Sequence, residues 1–119
     1  MKYVDGFVVP VPKKNLDAYK AISKKAGKVW KEHGALEYRE CVGEDLEPKG
    51  MLSFTKLAKA KPGEVVMFAW IVYRSRAHRD RVNKKVMADP RLLSMCNSKD
   101  SPFNPKRMAY GGFEVAVDV

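Results

Sequence analysis

Cysteine is scarce in this chain: Cys41 and Cys96 are the only two among 119 residues. Two such distant cysteines exclude a disulfide framework. No apolar run approaches the ~20 residues a membrane helix needs, which excludes a helical span. The opening `MKYVDGF` has neither a long apolar stretch nor a small-residue cleavage site. A cytoplasmic location with both thiols reduced is therefore expected. Histidine is equally sparse. His33 and His78 lack the clustered Cys or carboxylate partners of a metal centre, so no metal is expected. There is no Gly-rich phosphate loop, dinucleotide fingerprint or Ser-His-Asp pattern, and no cofactor is expected. The H-R-D at 78–80 has no glycine loop or D-F-G to make it a kinase signature. Acid is in deficit: 14 Asp and Glu face 23 Lys and Arg, a net charge of +9. Such a surface attracts phosphates, acidic metabolites and nucleic acid.

What is present fits one folded domain over residues 1–119, with 45% apolar and 31% charged residues. Residues 3–11 alternate as a strand. Tyr3, Asp5, Phe7, Val9 and Val11 share one face, and Val4, Gly6 and Val8 the other. Pro10 and Pro12 donate no hydrogen bond, so pairing should weaken there or face an edge. Residues 15–34 read as a helix with Asn15 as N-cap and Gly34 as stop. Its apolar stripe runs from Leu16 to His33, and Lys20, Lys24, Lys28 and Lys31 form a row away from it. Gly27, mid-helix, points to close packing. Residues 35–43 alternate again, with Leu36, Tyr38 and Val42 sharing a face with Glu40. A connection at 44–63 carries one helical turn near `FTKLAKA`. The stretch 64–74, `EVVMFAWIVYR`, is apolar on both faces and needs cover on both. Ser75 caps a second helix that Asp89-Pro90 ends, and `RLLSM` adds a turn. A loop at 96–106 leads to a last strand at 107–118.

Strand, helix, strand, strand, helix, strand is the split βαβ order of the ferredoxin-like α+β fold. It predicts a four-stranded antiparallel sheet with two helices on one face. The first and last strands then lie side by side. Both contain G-F-x-V-x-V, at residues 6–11 and 112–117, and each glycine is expected to make room for the other strand's aromatic ring. Two helices cover one sheet face only. A second copy, stacked sheet to sheet by twofold symmetry, would cover the other. The alternative is a monomer whose 44–63 segment folds over it.

The strings `FAWIVYRSRAHRDRVNKKVMADPRL` and `PFNPKRMAYGGFEV` resemble the YbaA-like bacterial proteins, a domain-of-unknown-function family of the dimeric α+β barrel superfamily. The likeness runs from `YVDGFVVPVP` to `GGFEV`, although Asn104 stands where that family suggests Asp. It implies a homodimer and brings no assigned reaction. The superfamily includes cofactorless monooxygenases and haem-degrading enzymes that work between sheet and helices, an analogy of fold alone.

Three functional readings follow. The first is small-molecule binding, or cofactorless catalysis, in a pocket between helices and sheet. His78 is its candidate acid or base, with Arg39, Trp70 and Tyr110 as ligand-binding candidates and Tyr38 as a further aromatic wall. The structural alternative makes His78 a satisfied boundary residue and the aromatic residues core. The second reading is a structural or regulatory dimer without chemistry. The third is an RNA-binding protein that grips phosphates with Arg76, Arg79, Arg81 and Lys84, against which stands a merely solvated basic face.

Overall fold

The computed structural model describes residues 1–96 and 101–119. Alternating apolar residues form four strands: β1 (Tyr3–Pro12), β2 (Glu37–Val42), β3 (Glu64–Tyr73) and β4 (Ala109–Glu114). They make one antiparallel sheet in the order β2-β3-β1-β4, the ferredoxin-like arrangement. The helices are α1 (Leu16–Glu32), the single turn α2 (Phe54–Leu57), α3 (Arg76–Met87) and α4 (Pro90–Cys96). Among the described residues no helix is long and apolar enough to cross a membrane.

Local chemistry sets most boundaries. Ser75 Oγ accepts the His78 N–H at 3.1 Å and starts α3. Gly34, with φ of 116°, stops α1 in a conformation that favours glycine. Asn15 is not the side-chain cap its type suggested. Its Nδ2 instead donates to Pro102 O at 3.2 Å, tying the start of α1 to the segment before β4. `RLLSM` lies within a full short helix, α4, rather than a lone turn. The expected loop at 96–106 lies partly outside the described residues; Pro105–Arg107, at its end, form a 3-10 turn capped by Asn104.

The last strand is shorter than expected, 109–114 instead of 107–118. It pairs with β1 from Val8↔Ala109 to Tyr3↔Glu114, and a final bond joins Val115 N–H to Lys2 O. At the other end β4 stops opposite Val8, so Pro10 and Pro12 are paired with β3 alone. The N–H of Lys13 points to β3 and the carbonyl of Lys2 to β4. Backbone groups alternate, so Pro10 and Pro12 lack their N–H on the β4 side.

The two glycine–phenylalanine segments do lie side by side, with Gly6 opposite Gly111. The Phe113 ring passes over Gly6, where a Cβ would sit 3.3 Å from Cε1. Phe7 finds no glycine. It packs on Tyr110 at 5.0 Å between ring centres, and Gly112 makes room for Tyr3 instead.

All long helices cover one face. Val29, Ile71, Tyr73, Val82, Val86 and Leu92 form one buried group, and Val9, Val11, Tyr19 and Met67 another. The opposite face carries Val4, Val8, Phe68, Trp70, Val72 and Phe113. The 44–63 segment lays Phe54 edge-on against Phe68, with 5.8 Å between ring centres. That cover is partial: Phe68 is 42% exposed and Phe113 62%.

Candidate functional site

The pleat of β2 turns Tyr38, Glu40 and Val42 towards α1. On α1, Tyr19, Ser23 and Gly27 recur at intervals of four and align above them. Gly27 lets the helix backbone approach the Tyr38 ring, since a Cβ there would lie 2.7 Å from Cδ1. This contact brings two phenols onto one carboxylate. Tyr19 OH donates to Glu40 Oε1 at 2.9 Å, and Tyr38 OH to Glu40 Oε2 at 3.1 Å. Burial raises both phenol pKa values far above the ordinary tyrosine range, and the Glu40 charge adds to the effect. Both tyrosines are therefore neutral donors.

Tyr19, Ser23, Tyr38 and Glu40 belong to the walls of two cavities. The inner one, about 300 Å³, lies between helices and sheet; Phe7, Ile22, Ala26, Trp30, Ala69 and Ile71 help to line it. Ala69 sits mid-sheet with Phe7 paired to it on one side and Glu40 on the other. Its small side chain leaves space where a larger residue would project. The outer cavity is an open cleft of about 530 Å³ between α1 and β2. Lys20, Lys24, Lys28 and Lys31 line it, so the lysine row borders a cleft as well as facing solvent.

A second polar group crosses the helix side of the sheet. Asp5 is 1% exposed, and Arg79 Nη1 donates to it at 3.0 Å and to Tyr110 OH at 2.7 Å. The Tyr3 ring lies 5.0 Å from the guanidinium carbon. Burial pushes the Asp5 carboxyl above its ordinary range, and the Arg79 charge pulls only part of the way back. Arg79 Nε is 2.9 Å from Asp80 Oδ1, yet this buried N–H has no hydrogen-bond partner. The short separation is an ion-pair distance without hydrogen-bond alignment. Nearby, Trp30 Nε1 and Tyr73 OH both donate to Asn83 Oδ1, at 3.0 and 3.2 Å.

The structure does not bring the candidate pocket residues together. Arg39 and Trp70 share the sheet face opposite α1. There Arg39 Nε and Trp70 Nε1 both donate to Glu37 Oε1, at 3.0 and 3.1 Å. The pleat explains this, because Arg39 and Trp70 are register partners on adjacent strands. His78 is buried and fully engaged. Its Nδ1 accepts the Arg74 N–H at 3.0 Å, its ring meets Tyr73 edge-on, and it lies outside the walls of both cavities. Tyr110 is on the helix side, one ring removed from the inner cavity through Phe7. Tyr38 alone among the expected aromatic residues lines it. Of the basic quartet, Arg76, Arg81 and Lys84 are exposed on α3, while Arg79 turns inward to Asp5. Glu40, Tyr19 and Asp5 were not singled out by sequence reasoning. Their signal was a carboxylate on an otherwise apolar strand face, visible at Asp5 and Glu40 alike. Among the described residues no group of His, Cys, Asp and Glu is arranged to hold a metal ion.

Residues 2–105 match the family described as "Protein of unknown function (DUF1428)". The chain belongs to this family. It is 46% identical over 118 residues to "Uncharacterized protein YbaA" of Escherichia coli K12, covering 99% of each chain. Among solved structures it is similar to SnoaB, a cofactor-independent oxygenase from Streptomyces nogalater. That likeness has a TM-score of 0.63 at 10% identity, over 99% of this chain and 96% of the other. It is also similar to Rv0793 from Mycobacterium tuberculosis, with a TM-score of 0.59 at 13% identity, over 99% and 98%. At such identities the likeness is one of fold alone, the ferredoxin-like sheet with its helices on one face.

Proposed function

We propose that this DUF1428 protein is a homodimer that binds a small molecule in the cavity between its helices and its sheet. One observation carries the reading: a helix–sheet space of about 300 Å³, walled by apolar side chains, with Glu40 as its carboxylate. Binding sites are commonly apolar hollows with a few well-placed polar groups. Glu40, half-buried and held in place by two phenol donors, is the polar group available to orient a ligand there. The cavity floor is Ala69, a residue that leaves room at the centre of the sheet. The open apolar face opposite supports pairing with a second copy. The likeness to SnoaB carries no chemistry to this chain, and the proposal concerns binding.

The test is a titration with a naphthalenesulfonate, a fluorescent ring system of suitable size. Saturable binding of one molecule per protomer is expected. Ala69→Leu should fold with equal or higher thermal stability, because its added carbons enter an existing space, and should lose the binding. Absence of saturable binding, or binding that ignores Ala69→Leu, would overturn the proposal.

A further inference from the structure

We propose that the ligand is an apolar acid carrying a neutral hydroxyl, whose hydroxyl is received by Glu40 and whose anionic group meets the lysine row of α1. This rests on the binding reading above and names the ligand class of the same site.

The hydroxyl follows from counting at Glu40. An ionised carboxylate offers about four acceptor positions. Tyr19 and Tyr38 take one each, on different oxygens. No lysine or arginine forms an ion pair with Glu40 among the described residues. The tyrosines hold the carboxylate in place and, as neutral donors, leave its charge uncompensated. Two acceptor positions remain on a group that walls both the inner cavity and the outer cleft. A ligand donor placed there makes a charge-assisted hydrogen bond, about twice as strong as a neutral one.

The charge of the ligand follows from the cleft. Lys20, Lys24 and Lys28 recur at intervals of four along one ridge of α1 and line its mouth. None of the three has an ion-pair partner among the described residues. Lys31 is occupied by Leu36 O at 2.9 Å, and Glu32, the other acid of the cleft wall, pairs with Arg91 at 2.7 Å. The mouth therefore presents three free cations. It favours an anion and repels an ammonium, so the donor that reaches Glu40 is a neutral hydroxyl rather than an amine. The ring-sized apolar volume between Phe7, Ala69 and Trp30 receives the hydrocarbon body.

Two probes that differ by one hydroxyl test this: the naphthalenesulfonate and its hydroxynaphthalenesulfonate counterpart. The hydroxylated probe should bind the wild-type protein about tenfold tighter. Glu40→Gln keeps an acceptor but loses the charge assistance, so it should reduce the ratio of the two probes' affinities, whatever it does to the parent's own affinity. Lys24→Gln with Lys28→Gln should weaken both probes equally and flatten the salt dependence of binding. Equal affinity of the two probes for wild-type protein would overturn the hydroxyl assignment while the binding reading stood. So would a hydroxyl advantage that survives undiminished in Glu40→Gln. An affinity indifferent to the lysine pair and to salt would overturn the anion assignment. Failure of both probes to saturate would remove the binding reading itself, and this inference with it. The comparison in wild-type protein decides the hydroxyl even if Glu40→Gln fails to fold.

Discussion

Two carboxylates on strand faces illustrate how much a single residue's surroundings decide. Asp5 and Glu40 each stand among apolar neighbours in the alternating pattern, and each is turned towards the helices. Their partners differ. Asp5 is buried against Arg79, an arginine that by sequence belongs to a basic surface stretch. Removing one member of a buried pair strands the other. Arg79→Ala is therefore expected to cost about 3 kcal/mol in urea unfolding, whereas exposed Arg81→Ala should stay within about 0.5 kcal/mol. Equal effects of the two replacements would show that Arg79 is only one more surface charge. The alternation that placed Asp5 and Glu40 on the buried face was plain in the sequence. Which cation or phenol would reach them was not, because those partners lie 74 and 21 residues away for Arg79 and Tyr19.

At the scale of the element, α3 shows what a cap can hold. Ser75 receives the His78 N–H, and His78 returns along the helix start to accept the Arg74 N–H through Nδ1. An accepting Nδ1 requires the neutral ring. Burial lowers the His78 pKa from its ordinary 6.5, and the charges of Arg74, Arg81 and Lys85 lower it further. The unfolded chain therefore takes up this proton before the folded one. The stability owed to neutral His78 is complete above about pH 6.5 and is lost as pH falls from there through the folded value. The unfolding free energy measured in urea, and with it the midpoint, should fall as pH drops below about 6.5, by at most about 1.4 kcal/mol per pH unit. The step should vanish in His78→Asn. A midpoint shift of the same size in that variant would assign the effect to other groups. The ends of α3 were legible from Ser75 and from Asp89-Pro90. The roles of His78 and Trp70 were not, since periodicity assigns a residue to a face without saying which face meets helices and which stays open.

The whole molecule poses the question of its bare sheet. Phe68 and Phe113 stand out from a face that also carries Val4, Val8, Trp70 and Val72, with the Arg39–Glu37 pair beside them, and the 44–63 segment shelters only part of it. The need for cover on both sides was readable from `EVVMFAWIVYR`; how far 44–63 would reach was not, because a connection without strong periodicity does not declare where it packs. Pairing of two such faces predicts that the protein sediments as a dimer. Phe68→Asp, at an already exposed position, should leave each protomer folded and shift sedimentation to the monomer. A wild-type monomer, or an undisturbed dimer in the variant, would remove this face from the assembly.

The two prolines of β1 have a consequence at this same scale. A strand side left open is a template on which a foreign strand can grow, and chains protect such sides to avoid aggregation. Past Val8, where β4 has ended, the 101–107 segment lies beside β1 and Pro10 is buried, and on that side Pro10 and Pro12 have no hydrogen to give. An intruding strand would have to displace that segment, and would then find carbonyls and no donors, so its ladder would stop after its first bonds. The strand that holds the centre of the sheet thus refuses to seed a fibre from its unpaired stretch, and it does so by omission.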